Sequence, residues 1–413
     1  MKTLVELFDQ DPMKNVLATY CFRPHRLILI GEADIMDSTA RQTLSRLFSF
    51  WNIPVQIRYV PILPDNPSDI FRALRQTVRE EPDAVFELSG GRDLPLCCTG
   101  AFCLRENRAC FYLDSASGKL LSLHSCDGLA KVFSMPKLHV KDLLLAAGAK
   151  IGGYGHFVPD LQDKVMCERI LKVFELVLDN LKSWGGLVNY LQTVTHLQEG
   201  REDALSFTAR KIIRTDTGLV RWNPTLFHAL HRIGVYRSFR EERDTISFTY
   251  CDVATKKCMM VHGFWLELST YVRLLRTGFF DSVKTSVVID WDGSERPSSF
   301  TKNEVDLILM KNCIPVFVSC KMGTPSPQAL YEIRLLASRF GGENAKAVLL
   351  SAAPVRRDNP ALAMRAADAG VTLFDLGDLN SGSIEQKFMD LFSMRTRQAE
   401  RGLGTGFKGL PMH

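Results

Sequence analysis

From Thr3 to Leu88 the chain repeats one unit, a short apolar run followed by an amphipathic stretch, and few folds can accommodate that repetition. Strand-like runs at Thr3–Phe8, Arg26–Gly31, Val55–Val60 and Ala84–Leu88 alternate with helical patterns over Pro12–Phe22, Asp37–Trp51 and Asp69–Glu80. Pro12 stands where a first helical turn tolerates a missing N–H. Strand–helix units of this length imply a parallel sheet with helices on both faces. From Ala109 the period changes, and "ACFYLDSASGKLLSLHS" reads as two strands around Ser-Ala-Ser-Gly, a hairpin closing the first part.

The 413 residues allow two or three domains. A hydrophobic content of 46% with 23% charged residues suits a soluble globular protein. The apolar stretch at Met1–Asp9 is too short and too soon interrupted for a signal peptide, and no run approaches membrane-spanning length. The expected location is the cytoplasm, with no membrane partner. Eleven cysteines without a Cys-x-x-Cys pair read as small buried residues in a reducing compartment. The net charge of +5 is too diffuse to indicate nucleic-acid binding and also does not oppose it.

Residues 139 to about 200 read as mostly helical, broken at Gly152-Gly153. "NPTLFHALHRIGVY" carries an Asn cap and Pro at the first helical position, and "TISFTYCDVATKKCMMVHG" after it reads as a hairpin. Helix plus hairpin resembles a winged-helix unit, taken here as a spacer because fold alone does not give function. The third part runs helix "FWLELSTYVRLLRTG", strands "SVVIDWDG", "EVDLILMKN" and "PVFVSCKMG", helix "PQALYEIRLLASRFGG" and strand "KAVLLSA". Arg395–His413, rich in Arg and Gly, is expected to be a loose tail.

The chemistry concentrates at the end of one strand. Ile314–Val318 runs directly into Ser319-Cys320-Lys321 with no turn residue between. A lysine there needs compensation for its charge. Glu304 and Asp306 open the preceding strand and share a face by its period of two. Carboxylates beside a lysine suit a divalent cation held next to a phosphodiester. Asp and Glu oxygens bind the hard cation, which polarises the phosphoryl oxygen and acidifies a bound water, while the ammonium orients that water or offsets negative charge. A structural Lys–Asp ion pair is the plainer alternative, but the joint order of helix Glu267, strand Glu304-x-Asp306 and strand-terminal Lys321 favours an enzyme. Alternation points Cys320 away from Lys321, and no histidine is placed to activate it, so it reads as core.

A second stretch, "AVFELSGGRDLPLCCTGAF", takes a strand through Ser89-Gly90-Gly91-Arg92-Asp93 into a helix. Flexible glycines and exposed helix-start amides can surround an anion there. The stretch is neither a dinucleotide fingerprint nor a Walker A loop.

Together these motifs resemble one family, the CRISPR ancillary nucleases with an N-terminal CARF (Rossmann-like) domain and a C-terminal PD-(D/E)xK domain. "GFWLELSTYV", "NEVDLILMKN" and "VFVSCKMG" stand in the order that family uses. The resemblance implies an α/β chain. Residues 1–138 would be a CARF-like cyclic oligoadenylate sensor, 139–262 a helical and winged-helix-like spacer, 263–394 a restriction-endonuclease-like domain, and 395–413 the tail. It implies Asp306 as central metal ligand, Lys321 as motif lysine and Glu267 as helix carboxylate. The acidic position two residues before the lysine is Ser319, so Glu304 is the natural substitute. Asp290 and Asp292 are further candidates, and Glu332 could approach from the next helix. Ser89, Gly90, Gly91 and Arg92 would line the activator, with Asp9, Gln10 and Asn15 on the opposite edge. The implied molecule is a homodimer that binds cyclic tetra-adenylate and cleaves RNA, single-stranded DNA or duplex DNA with Mn2+ or Mg2+.

Two other readings compete. A ligand-responsive transcription factor would use Arg232, Arg237, Arg240 and Arg243 on phosphates, although Glu241 and Glu242 dilute that patch and the carboxylate–lysine site stays unexplained. A dinucleotide-using metabolic enzyme lacks its fingerprint.

Overall fold

The front of the chain forms a six-stranded sheet from β1 (Thr3–Leu7), β2 (Arg26–Gly31), β3 (Gln56–Pro61), β4 (Val85–Glu87), β5 (Cys110–Asp114) and β6 (Lys119–His124), in the order β3-β2-β1-β4-β5-β6. β1 to β5 pair in parallel and β6 closes the edge antiparallel. The connecting helices are α1 (Leu17–Phe22), α2 (Ser38–Phe50), α3 (Pro67–Glu80) and α4 (Asp93–Arg105), and α5 (Asp127–Val132) follows the hairpin. Their starts are locally encoded. Asp37 accepts from Ala40 N at 2.7 Å, while Asn66 and Pro67 open α3, whose buried Ile70, Ala73, Leu74 and Thr77 make one helical face. In this computed structural model the described residues are 1–160, 162–198, 204–291 and 302–392, so Asp292 and the tail 395–413 lie outside them.

One helix is shorter than the pattern from Pro12 suggests, because only Leu17–Phe22 is helical. Asp9 and Asp11 side chains take the amides of Asp11 and Met13, at 2.7 and 3.0 Å, and these local bonds compete with a helical turn.

The middle of the chain contains α6 (Val140–Ala146), β7 (Lys150–Tyr154), α7 (Lys164–Asp179), α8 (Leu181–Leu197), β8 (Ser206–Arg210), β9 (Ile212–Thr215), β10 (Gly218–Arg221), α9 (Pro224–Ile233), β11 (Tyr236–Glu241), β12 (Thr245–Tyr250) and α10 (Val253–Met259). Two expectations are corrected here. The stretch around Gly152-Gly153 is a strand, β7, held by a partner distant in sequence. The hairpin is β11–β12, and the residues after Asp252 form helix α10, capped by the Asp252 carboxylate on Thr255 N at 2.6 Å.

α11 (Phe264–Arg276) leads into the second large sheet, built from β13 (Ser282–Asp290), β14 (Lys302–Lys311), β15 (Ile314–Lys321), β16 (Lys346–Ser351) and β17 (Val371–Phe374). The strand order is β17-β16-β15-β14-β13-β7. Helices α12 (Pro327–Gly341), α13 (Val355–Asp358), α14 (Pro360–Asp368) and α15 (Leu376–Asn380) complete it. α11 packs on one side with Val316 and Val318, and α12 on the other with Ile308 and Phe317. The α12 side is continuous with Leu4, Phe8, Leu27 and Leu29 of the front sheet, so one apolar core joins both sheets. No helix among the described residues is long and apolar enough to cross a membrane.

Candidate active site and glycine turn

Asp306 lies where the pairing of β13 with β14 passes from Thr285↔Leu307 to Val287↔Val305, skipping Ser286 and Asp306. Ser286 has φ of 51°, a left-handed conformation costly for a residue with a Cβ and recurrent at functional sites. The Asp306 carboxylate accepts from Cys320 N at 2.5 Å and from Ser319 Oγ at 3.4 Å. Burial pushes its carboxyl up, while the Cys320 amide, Lys321, Ser319 and His156 oppose the rise. Lys321 ends β15 with its side chain exposed.

Glu267, in the first turn of α11, is 5% exposed and accepts from Thr285 Oγ1 at 2.6 Å and from Ser286 Oγ. Burial, then the negative charge of Asp306, pushes it up to about 8. Glu304 projects outward beside His156, whose Nε2 is 3.8 Å from Glu304 Oε1. Gly155 makes room for it, since a Cβ there would lie 2.1 Å from Glu304 Oε1. Gly155 N donates to Ser286 O at 2.8 Å, which fixes the β7 end against the skipped pair. Sequence reasoning missed Gly155 and His156, and no local signal marks them.

The structure thus brings Glu267, Glu304, Asp306, Ser319 and Lys321 to one end of the sheet. Asp290 lies farther along β13 opposite Lys302 and is ion-paired with Lys150 at 3.8 Å. Glu332 is exposed on α12, across the sheet from α11, where Gln328 donates to it at 3.2 Å. Burial drives the Cys320 thiol far above its usual range, in keeping with a core role.

Among the described residues no group of three His, Cys, Asp or Glu side chains is gathered into a closed ligand set. The donor set does fit an open, water-rich site. Asp306 and Glu304 place like charge beside the buried Glu267, and a hard cation that keeps several waters needs only one or two carboxylates. Asp306 would hold it, with Glu304 and the Ser319 side available.

A second candidate site follows from topology. Strand order reverses between β1 and β4, and ligands of open α/β sheets bind beyond the carboxyl ends of the strands at such a point. The loop after β1 and the Ser89–Arg92 turn after β4 meet there. Gly91 has φ of 94°, and a Cβ on it would lie 2.5 Å from Leu7 Cβ. Gly91 N donates to Asp9 Oδ2 at 2.7 Å. Asn15 clasps the Asp9 backbone with two bonds of 2.7 Å. Arg92 pairs with Glu32 at 2.7 Å and Asp65 at 3.2 Å, leaving Asp93 outside that pairing, and Gln10 is exposed on the rim. Beneath the turn, Glu6 and Glu87 are register partners on β1 and β4, 0% and 1% exposed. Ser89 N donates to Glu87 Oε1 at 2.8 Å, and Ser89 Oγ donates to the same oxygen. Burial pushes Glu87 up to about 7, and burial together with Glu87 pushes Glu6 well up.

The family model of the Card1-like endonuclease domain matches residues 254–394, which hold α11, the Glu304–Asp306 strand and Lys321. This part of the chain is a Card1-like endonuclease domain. The whole chain shares its fold with two solved structures. Protein VC1899 from Vibrio cholerae superposes with a TM-score of 0.72 at 20% identity, covering 94% of this chain and 98% of that one. Can2 from Sulfobacillus thermosulfidooxidans, solved in complex with cyclic tetra-adenylate, superposes with a TM-score of 0.67 at 18% identity, covering 95% and 99%. No curated protein matches the sequence. The Card1-like domain is therefore joined to a front sheet in the same overall arrangement as in Can2.

Proposed function

We propose that the protein is a homodimeric, cyclic oligoadenylate-activated nuclease of type III CRISPR defence, switched on by cyclic tetra-adenylate and dependent on Mn2+ or Mg2+. The observation that carries the reading is the presence, in one chain, of a glycine turn at the switch point of a Rossmann-order sheet and a carboxylate–lysine site in a Card1-like domain. The fold shared with Can2, whose structure holds cyclic tetra-adenylate, supports the choice of activator. The cation would supply Lewis-acid chemistry at the phosphodiester. Asp306 and Glu304 would hold it, Lys321 would orient the attacking water, and buried Glu267 would retain or release a proton according to the charge beside it. Incubating labelled RNA, single-stranded DNA and duplex DNA with Mn2+, with and without cyclic tetra-adenylate, tests the reading. No cleavage of any substrate with both present would reject it.

Gly155 and Ser319 allow a graded test. Gly155→Ala should push the Glu304 carboxylate aside and lower the cleavage rate several-fold without lowering the melting temperature, because the displaced group is an exposed side-chain end. Ser319→Ala should be milder than Glu304→Ala, since a neutral hydroxyl is a poor ligand for a hard cation. Rate constants for the three variants at saturating Mn2+ decide both orders.

In this reading a two-fold partner would sit against α4. On α4 the outward residues Leu94, Cys97, Ala101 and Leu104 form an exposed apolar seam at three- and four-residue spacing, with Leu104 63% exposed. The seam starts at the glycine turn, so a two-fold axis beside α4 brings two turns to one ring-shaped ligand. Leu104→Glu should convert the dimer to monomer in sedimentation velocity and abolish activation. A dimeric Leu104→Glu protein would move the interface elsewhere.

A further inference from the structure

The loop after β1 does not only face the glycine turn. It also touches the far end of α12, the helix that follows the Lys321 strand. A cavity of ≈ 720 Å³ opens between them, lined by Asp9, Gln10 and Arg92 from the front and by Arg334, Arg339 and Glu343 from the Card1-like domain, among others. Among the described residues neither Arg334 nor Arg339 has an acidic partner within ion-pair distance, whereas the cavity's acids are engaged. Glu32 pairs with Arg92, Glu343 with Lys14 at 3.0 Å, and Asp11 accepts from Met13 N and Glu343 N, each at 3.0 Å. Asp9 holds the position of most consequence, because its Oδ2 takes the Gly91 amide at 2.7 Å, with Lys14 Nζ at 3.6 Å, and its Oδ1 takes the Asp11 amide. An anion is thus already seated on the amide of the left-handed glycine.

We infer that this cavity is a phosphodiester seat, that the Asp9 carboxylate fills it as an internal anion in the resting protein, and that Arg334 and Arg339 of the Card1-like domain grip the phosphate that replaces it. The inference rests on the cyclic oligoadenylate reading for the identity of the natural ligand, but the seat itself needs only a phosphodiester. A backbone amide and planar guanidinium forks match phosphate oxygens, and charge-assisted bonds of this kind exceed neutral ones in strength. The exchange also reaches the nuclease side. Asp9 Oδ1 orders the Asp11 amide, and Asp11 in turn clasps the end of α12, where Gly342 has φ of 68° and a Cβ would lie 2.2 Å from Asp11 Oδ2. A phosphate that displaces Asp9 therefore alters the clasp while drawing on arginines of the same helix. Ligand binding and α12 position become linked, as allosteric coupling requires.

Isothermal titration of the protein with cyclic tetra-adenylate and, separately, with a linear adenylate dinucleotide carrying one phosphodiester tests this. The expected result is binding of both by wild type, a loss of about tenfold or more for each in Arg334→Ala/Arg339→Ala, and several-fold tighter dinucleotide binding by Asp9→Asn. Asn15 holds the Asp9 backbone independently of the carboxylate, so the last variant keeps its loop. Wild type that binds the dinucleotide but not cyclic tetra-adenylate supports the seat while rejecting the functional reading. Wild-type affinity in the double variant, unchanged affinity in Asp9→Asn, or wild type that binds neither probe overturns the inference.

Discussion

Asp306→Ala and Lys321→Ala are each expected to lower metal-dependent cleavage about a hundredfold or more, the usual cost of removing a preorganised group aimed at transition-state charge. On the function proposed above, both variants should stay folded and bind cyclic tetra-adenylate as tightly as wild type. The Lys321 side chain is exposed at a strand end, so its removal leaves no cavity. The Asp306 carboxylate is held up by burial, so removing it relieves repulsion with Glu267. Cleavage of labelled RNA and DNA at saturating Mn2+, alongside activator titration, separates lost chemistry from lost folding. Near wild-type rates in either folded variant would remove that residue from the mechanism.

The second large effect is on stability and comes from Glu6 and Glu87. The Glu87 carboxyl is raised in the folded protein from about 4.5 to about 7. The folded state therefore keeps a proton that the unfolded chain gives up earlier. The stabilisation is complete below the unfolded range near 4.5 and is lost as the pH rises through about 7, with Glu6 extending the loss upward. For Glu87 alone the change is on the order of 3 kcal/mol, at about 1.4 kcal/mol per pH unit. Thermal unfolding of wild type between pH 5 and 9, compared with Glu6→Gln, should show a steep fall for wild type and a shallower one for the variant. Equal slopes would mean that the burial of Glu6 beside Glu87 does not set the pH dependence of stability.

Much of the front sheet was legible because its information is local. Each strand and helix carries its own period and caps, and the alternation leaves a parallel sheet as the only economical packing. The Ser89–Arg92 turn and the Lys321 strand end were visible for the same reason, as short motifs interrupting a regular pattern. What stayed hidden depended on partners far apart in the chain. β7 reads as a break because two glycines favour no element, and only its pairing with β13 makes it a strand and delivers Gly155 and His156 to the site. Glu6 and Glu87 are single acids in apolar runs, and the β1–β4 register alone makes them neighbours. α1 is shorter than its apolar pattern for a local reason, since Asp9, Asp11 and Asn15 favour side-chain-to-backbone bonds over a helical turn. The same register argument bears on Gly91. A bulky residue there collides with Leu7 before any ligand arrives, so Gly91→Leu would probe the fold of β1 instead of activator binding.

The apolar core that runs from Leu4 and Leu27 through Ile308 and Phe340 has a practical consequence for anyone rebuilding this protein. A cut between the front and back halves would strip both of a wall and leave two aggregation-prone fragments. The halves cannot be exchanged with those of a relative as ready-made cassettes unless the residues of the joint travel with them. The joint is a single interior, so a large-to-small change on either side of it, Leu29→Ala or Phe340→Ala, is felt by both sheets.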